Sequence, residues 1–238
     1  MTLRTPRKAL GRTPRHALAA AFAVMAGTAF AAGLPLGITE VDNAGLPDVG
    51  EDWLAENPYR AADHDVWTRA IEVGESAYTQ NCARCHGLGA ISGGLAPDLR
   101  MLEASDYDDE WFAERFQHGM TQDGITKMPA FADVLSQKTA WAIRTYVETR
   151  PDDQAVMTES PALKELRDEL ALWAKGEGTP DEPAMKAKLD EIAARIPTLS
   201  SAPIADSVAY RASEQLDGTP ASYAVAAETL TVGLSVHN

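Results

Sequence analysis

The chain has 238 residues, 45% hydrophobic and 24% charged, enough for one medium globular domain or two small ones. Its formal net charge is −14, which repels nucleic acid and anionic lipid and permits a basic partner protein. At the N-terminus, Arg4, Arg7, Lys8, Arg12 and Arg15 precede an apolar run over residues 17–27, and Ala29-Phe30-Ala31 gives a small-x-small end. That layout predicts a secretory signal peptide over residues 1–31, cut near Ala31 or Ala32. The run is short for a membrane span of ~20 residues. An exported, periplasmic protein with no stable membrane insertion after cleavage is expected. Losing those five basic residues would take the formal charge from −14 to −19.

Residues 32–66 are rich in Gly, Pro and Asp without a lasting period. They predict an extended N-terminal arm, with Trp53 and Leu54 as anchors, or else a disordered leader. From Val66 the pattern turns helical, with Trp67, Ile71, Gly74 and Tyr78 on one face. Gly74 on that face allows a second helix to come close. A Gly-rich loop is expected over 87–105, a short helix over 109–117 with Trp111, Phe112 and Phe116, and a loop over 120–133 holding Lys127-Met128-Pro129. A strong helix follows over 136–149, with Ser136 as N-cap and Pro151 as stop.

After Pro151 the composition shifts. Ser160-Pro161 is expected to open a helix carrying Leu163, Leu166, Leu170 and Trp173, closed by Gly176. Met185, Leu189, Ile192 and Ile196 mark another, stopped by Pro197, and two weaker helical patterns lie near 203–216 and 220–234. The fold class expected is all-α. This last region contains no cysteine and no ligand cluster.

Both cysteines of the chain sit in "NCARCHG", residues 81–87. A thioredoxin-like dithiol belongs at a strand end in a βαβ unit, and the stretch before Cys82 is helical. A structural zinc site needs four ligands, and Cys82, Cys85 and His86 supply three at most. A disulfide suits an exported protein but leaves His86 without a role. Cys-x-x-Cys-His is the attachment signature of a c-type haem. Two thiols three residues apart on one turn can each form a thioether to one haem vinyl group, and His86 can then offer its imidazole to the iron. For the second axial position the candidates are Met128, in a loop stiffened by Pro129, and behind it Met120 and His118. Met101 reads as a core filler. A thioether ligand raises the potential relative to a nitrogen ligand and closes the iron to substrates. That predicts electron transfer, not an enzyme.

Taken with "APDLR", "KMPAF" and the helix holding Trp141 and Tyr146, residues 67–150 resemble a class I monohaem cytochrome c. The resemblance implies one covalently bound haem c and a tight crossing of the first and last helices through Gly74, Trp141 and Tyr146. It also implies that the Pro97 carbonyl holds the imidazole N–H of His86, fixing its tautomer. Arg100 and Trp111 are candidates for holding the haem propionates, or else ordinary surface or core residues. "GEDWLAENPYR" and "VLSQKTAWAIRTYVETR" are similar to periplasmic cytochromes c that accept electrons from quinoprotein (PQQ-dependent) alcohol dehydrogenases.

The function expected is therefore one-electron carriage from a periplasmic dehydrogenase to an oxidase or another cytochrome, with residues 87–94 as the contact surface. The alternative is a haem enzyme or gas sensor with an open axial site. Residues 151–238 depart from the resemblance and predict a helical extension: a docking or oligomerisation module, an appendage packed on the haem domain, or a partly disordered tail.

Overall fold

Asp63 starts the first helix. Its carboxylate accepts a hydrogen bond from Val66 N at 3.0 Å, and α1 runs His64–Asn81. These coordinates are a computed structural model of the chain, which describes residues 1–2 and 37–235. The expected signal peptide, apart from its first two residues, and residues 32–36 of the arm lie outside the described residues. The chain divides into two units, Met1–Gly37 and Ile38–Asn238, and every element below belongs to the second.

After α1 come the single turn α2 (Ala83–His86), α3 (Asp106–His118), a hairpin of β1 (Met120–Gln122) and β2 (Ile125–Met128), and α4 (Gln137–Glu148). Four helices follow: α5 (Asp153–Ala174), α6 (Glu182–Ala194), α7 (Val208–Glu214) and α8 (Pro220–Ser235). The molecule is helical, as expected. Two apolar cores form. One gathers Trp67, Tyr78, Phe112, Phe116, Trp141 and Tyr146 from α1, α3 and α4. The other gathers Leu163, Leu170, Trp173, Leu189, Tyr223 and Leu230 from α5, α6 and α8.

The crossing of α1 over α4 depends on Gly74. A Cβ there would lie 2.0 Å from the Ala142 carbonyl oxygen and 2.7 Å from Tyr146 Cβ, so no other residue permits this approach. The arm closes over the other side of α4. Asn57 N donates to Asp109 Oδ2 at 2.9 Å, and Arg60 Nη2 lies 2.8 Å from Asp109 and 2.7 Å from Glu148. Arg144, fully buried, meets the same Asp109 Oδ1 through its Nε at 2.8 Å. Guanidiniums from the arm and from α4 thus share one buried carboxylate of α3, which satisfies charges that burial would otherwise make costly.

Several expectations need correction. The 120–133 segment is not all loop: Asp123 and Gly124, both at positive φ, turn the chain between β1 and β2. Asp-Gly between Gln122 and Ile125, which pair across the turn, is a tight-hairpin signal. The helix expected to open at Ser160 opens at Asp153, capped by Asp152, with Pro161 inside α5. Pro161 and Met157, whose carbonyl loses the partner, both face solvent, where water can replace the bond. The arm is held by buried Leu46, Asn57 and Tyr59, while the Leu54 side chain is exposed; Trp53 does pack, against Phe116. Met101 is 60% exposed and fills no core.

The extension from Pro151 docks on the first core through several groups. Asp206 N donates to Thr149 O at 2.9 Å, and Ala104 N donates to Ser200 O at 2.8 Å. The Asp206 carboxylate accepts from both Arg150 and Arg211. Tyr210 meets Trp67 edge-on, with centroids 5.8 Å apart.

Candidate functional site

Cys82 ends α1, with its N–H donating to Tyr78 O at 2.8 Å, and its own carbonyl accepts from Cys85 N and His86 N at 3.1 and 3.0 Å. One turn therefore presents Cys82, Cys85 and His86 in succession. Both cysteines are free and half-buried. Burial pushes the Cys82 thiol up to about 12, with the neighbouring Cys85 adding to the shift. A thiol held protonated at neutral pH is poorly suited to thiol–disulfide exchange, which weighs against a redox dithiol.

Gly87 ends the turn at φ 86, and a Cβ there would sit 1.8 Å from the Ile91 carbonyl oxygen. Tyr78 Oη donates to the Gly87 carbonyl at 2.8 Å, linking the site to the α1–α4 crossing. The His86 Nδ1 lies 2.9 Å from the Pro97 carbonyl oxygen. A carbonyl only accepts, so Nδ1 carries the proton and Nε2 keeps its lone pair for a metal.

Pro97 leads into a 3₁₀ turn over Leu99–Met101 capped by Asp98, which accepts from Arg100 N at 3.1 Å. The Arg100 guanidinium is buried. Its Nε and Nη2 reach Asp98 at 3.0 and 2.7 Å, and its Nη1 reaches Asp153 at 2.9 Å. Burial works to raise the Asp98 carboxyl, but its bonds to Arg100 outweigh it and hold the group below the usual carboxylate range. Trp111 is half-exposed on α3, with the Arg115 guanidinium over its ring at 5.5 Å.

Met128 closes β2, half-buried against the first core. The hairpin is pinned where it leaves α3: at Gly119, with φ 66, a Cβ would lie 2.4 Å from the Met128 carbonyl oxygen. Phe131 N donates to Phe116 O at 2.9 Å on its other side. Met120 and His118, the competing candidates, are exposed. The structure thus joins His86, Pro97 and Arg100 in one hydrogen-bonded segment and sets Trp111 apart on α3, where its ring contact is to Arg115. Sequence reasoning missed Asp98 and Asp153. Asp98 lies inside "APDLR" and was in plain view, whereas Asp153 comes from the extension with no local signal.

The family model for cytochrome c oxidase, cbb3-type, subunit III matches residues 69–147. Cytochrome c550 of Pseudomonas aeruginosa is 54% identical over 111 residues, which cover 46% of this chain and 74% of that protein. Quinohemoprotein alcohol dehydrogenase ADH IIB of Pseudomonas putida is 39% identical over 80 residues, 34% of this chain and only 11% of that enzyme. The cbb3-type cytochrome c oxidase subunit FixPc of Rhizobium leguminosarum bv. viciae is 33% identical over 111 residues, covering 40% of this chain and 36% of that subunit. No solved structure matches the chain. The donor set on the α2 turn suits a covalent haem: two free thiols one turn apart, and an imidazole whose Nε2 is left for iron. The chain belongs to the cytochrome c family: it is an electron-transfer protein built on a covalently bound haem c.

Proposed function

We propose that the chain is a periplasmic one-electron carrier in which Cys82 and Cys85 tether the haem and His86 and Met128 ligate its iron. Pro97 holds the His86 ring through its carbonyl. Arg100, buried three residues further on, is proposed as a propionate-side cation, and Trp111 is proposed for the same duty through its indole N–H. The observation that carries this reading is the 2.9 Å approach of His86 Nδ1 to the Pro97 carbonyl on the turn that also presents both thiols. Such a bond raises the basicity of the ligating nitrogen. Met128 is favoured over Met120 and His118 because it is the half-buried, core-packed member of the three.

The proposed donor is a quinoprotein alcohol dehydrogenase, and the acceptor a terminal oxidase or another cytochrome. Similarity to short stretches of quinohemoprotein alcohol dehydrogenases supports the first, and similarity to cbb3-type oxidase subunits supports the second. The proposed contact surface is the loop over 87–94. Gly89, Gly93 and Gly94 have open space around them there, and Leu88 and Leu95 stand exposed at 71% and 76%. Short side chains let a partner come close, and the two leucines offer apolar contact. Among the described residues no helix is long and apolar enough to cross a membrane.

The test is spectroscopic. A pyridine haemochrome assay should give one haem per chain, and Met128→Ala should abolish the near-infrared thioether–iron band of the oxidised protein. A band unchanged in that variant would assign the ligand elsewhere. Ready binding of carbon monoxide by the reduced wild type at neutral pH would instead support the open-site alternative.

A further inference from the structure

Asp153 is the first residue of α5 and lies beyond residue 147, where the family match ends. Its carboxylate is nevertheless built into the loop that holds His86. The Arg100 guanidinium spends Nε and Nη2 on Asp98, which leaves Nη1 as its remaining arm, and Nη1 meets Asp153 at 2.9 Å. Arg100 is only 5% exposed. A buried guanidinium needs partners on its whole donor fork, because an unpaired desolvated donor is costly.

Asp98 matters for a geometric reason. The Pro97 carbonyl belongs to the planar peptide unit that joins Pro97 to Asp98. Fixing the Asp98 backbone therefore aims that carbonyl. Asp98 is fixed three times: by Arg100 Nε, by Arg100 Nη2, and by capping Arg100 N. Arg100 is in turn fixed from outside by Asp153. The extension also grips the end of this segment, where Ala104 N donates to Ser200 O at 2.8 Å.

We propose that Asp153 is a positioning residue for the histidine side of the haem: by anchoring Arg100 it holds the Pro97 carbonyl on His86 Nδ1, so the C-terminal extension sets the haem potential. This rests on the proposed ligation by His86. Two effects have the same sign. Losing the Asp153 charge removes a negative group from the surroundings of the site, which favours the reduced state. Loosening the Pro97 carbonyl weakens the bond to Nδ1–H, makes the imidazole less basic and again favours the reduced state.

The experiment compares midpoint potentials of the full-length haem-loaded protein with Asp153→Asn, Asp153→Glu and Asp168→Asn. Asp168 is an exposed acid about four turns further along the same helix, paired with Arg167, so it controls for loss of a remote charge on α5. Asp153→Asn should shift the ferric–ferrous equilibrium about threefold toward the reduced form, roughly 30 mV at 59 mV per decade. Asp153→Glu should restore most of the wild-type value, and Asp168→Asn should leave it unchanged. Hydrogen exchange at the Arg100–Leu102 amides should rise in Asp153→Asn only. If Asp153→Asn does not mature, Asp153→Ser is read in the same way. A normal haem content and axial-ligand spectrum with an unchanged potential would overturn the proposal and leave the site assignment intact. Absence of covalent haem from the wild type, or of histidine ligation, would overturn the site assignment itself and this inference with it.

Discussion

At the scale of single residues, two glycines decide how closely helices approach, and they differ in what they face. Gly74 faces backbone: an added Cβ would meet the Ala142 carbonyl oxygen at 2.0 Å. Gly233 faces a side chain, with Val208 Cγ1 at 1.9 Å from such a Cβ. A helix backbone cannot give way without moving the whole helix, whereas a valine can shift within its own turn. Gly74→Ala should therefore destabilise the protein by about 2–3 kcal/mol, after subtracting its gain in helix propensity. Gly233→Ala should cost less. Urea denaturation of the two variants checks this ordering. Equal midpoints would mean that α1 can slide on α4, and the reading of Gly74 as the pivot of that crossing would fail. Gly74 also bears on the site, because Tyr78, one turn further along α1, donates to the Gly87 carbonyl beside His86.

At the scale of elements, what the sequence made legible followed from locality. The Cys-x-x-Cys-His turn, the amphipathic face of α1 and the Ser136 cap of α4 are each written within one or two turns, and each is found where expected. The hairpin is equally local, because Asp123-Gly124 supplies the positive-φ pair that a tight hairpin needs. Pro161 misleads. Proline is common at the first turn of a helix, yet α5 starts two turns earlier at the Asp152 cap and carries Pro161 on its exposed side. Only the packing of Val156 and Leu163 on one buried face shows that the two halves are a single helix. Replacing Pro161 with Ala would restore the donor to the Met157 carbonyl and relieve the ring's clash. Pro161→Ala should raise stability by about 1–3 kcal/mol, read as an upward shift in Tm. A fall in Tm would show that the proline serves a contact on the outer face of α5.

At the scale of the whole molecule, the link between the two cores was the least legible feature, because it joins residues far apart in sequence. Arg150, at the end of the first core, places its guanidinium over the Tyr146 ring at 4.1 Å and donates to the Asp206 carboxylate of the extension. Tyr146 packs on Tyr78 with centroids 5.3 Å apart, and Tyr78 reaches Gly87. Asp206 thus stands at the far end of a contact chain that runs to the residue after His86. Burial acts to raise the Asp206 carboxyl, but Arg150 and Arg211 outweigh it and hold the group below its ordinary range. The folded value is depressed relative to the unfolded chain, so the linked stability is fully present above about pH 4, the ordinary aspartate value, and is lost as pH falls through the folded value. Asp206→Asn keeps the shape and removes the charge, leaving Arg150 and Arg211 without their shared anion. It should cost about 3 kcal/mol at neutral pH, and the cost should shrink steadily as the pH is lowered below 4. Denaturation midpoints of wild type and variant, measured across that range, should converge at the acid end. Midpoints that stay equally far apart at every pH would show that Asp206 acts through packing alone. The docking of the extension would then owe nothing to the ion pairs that join it to α4.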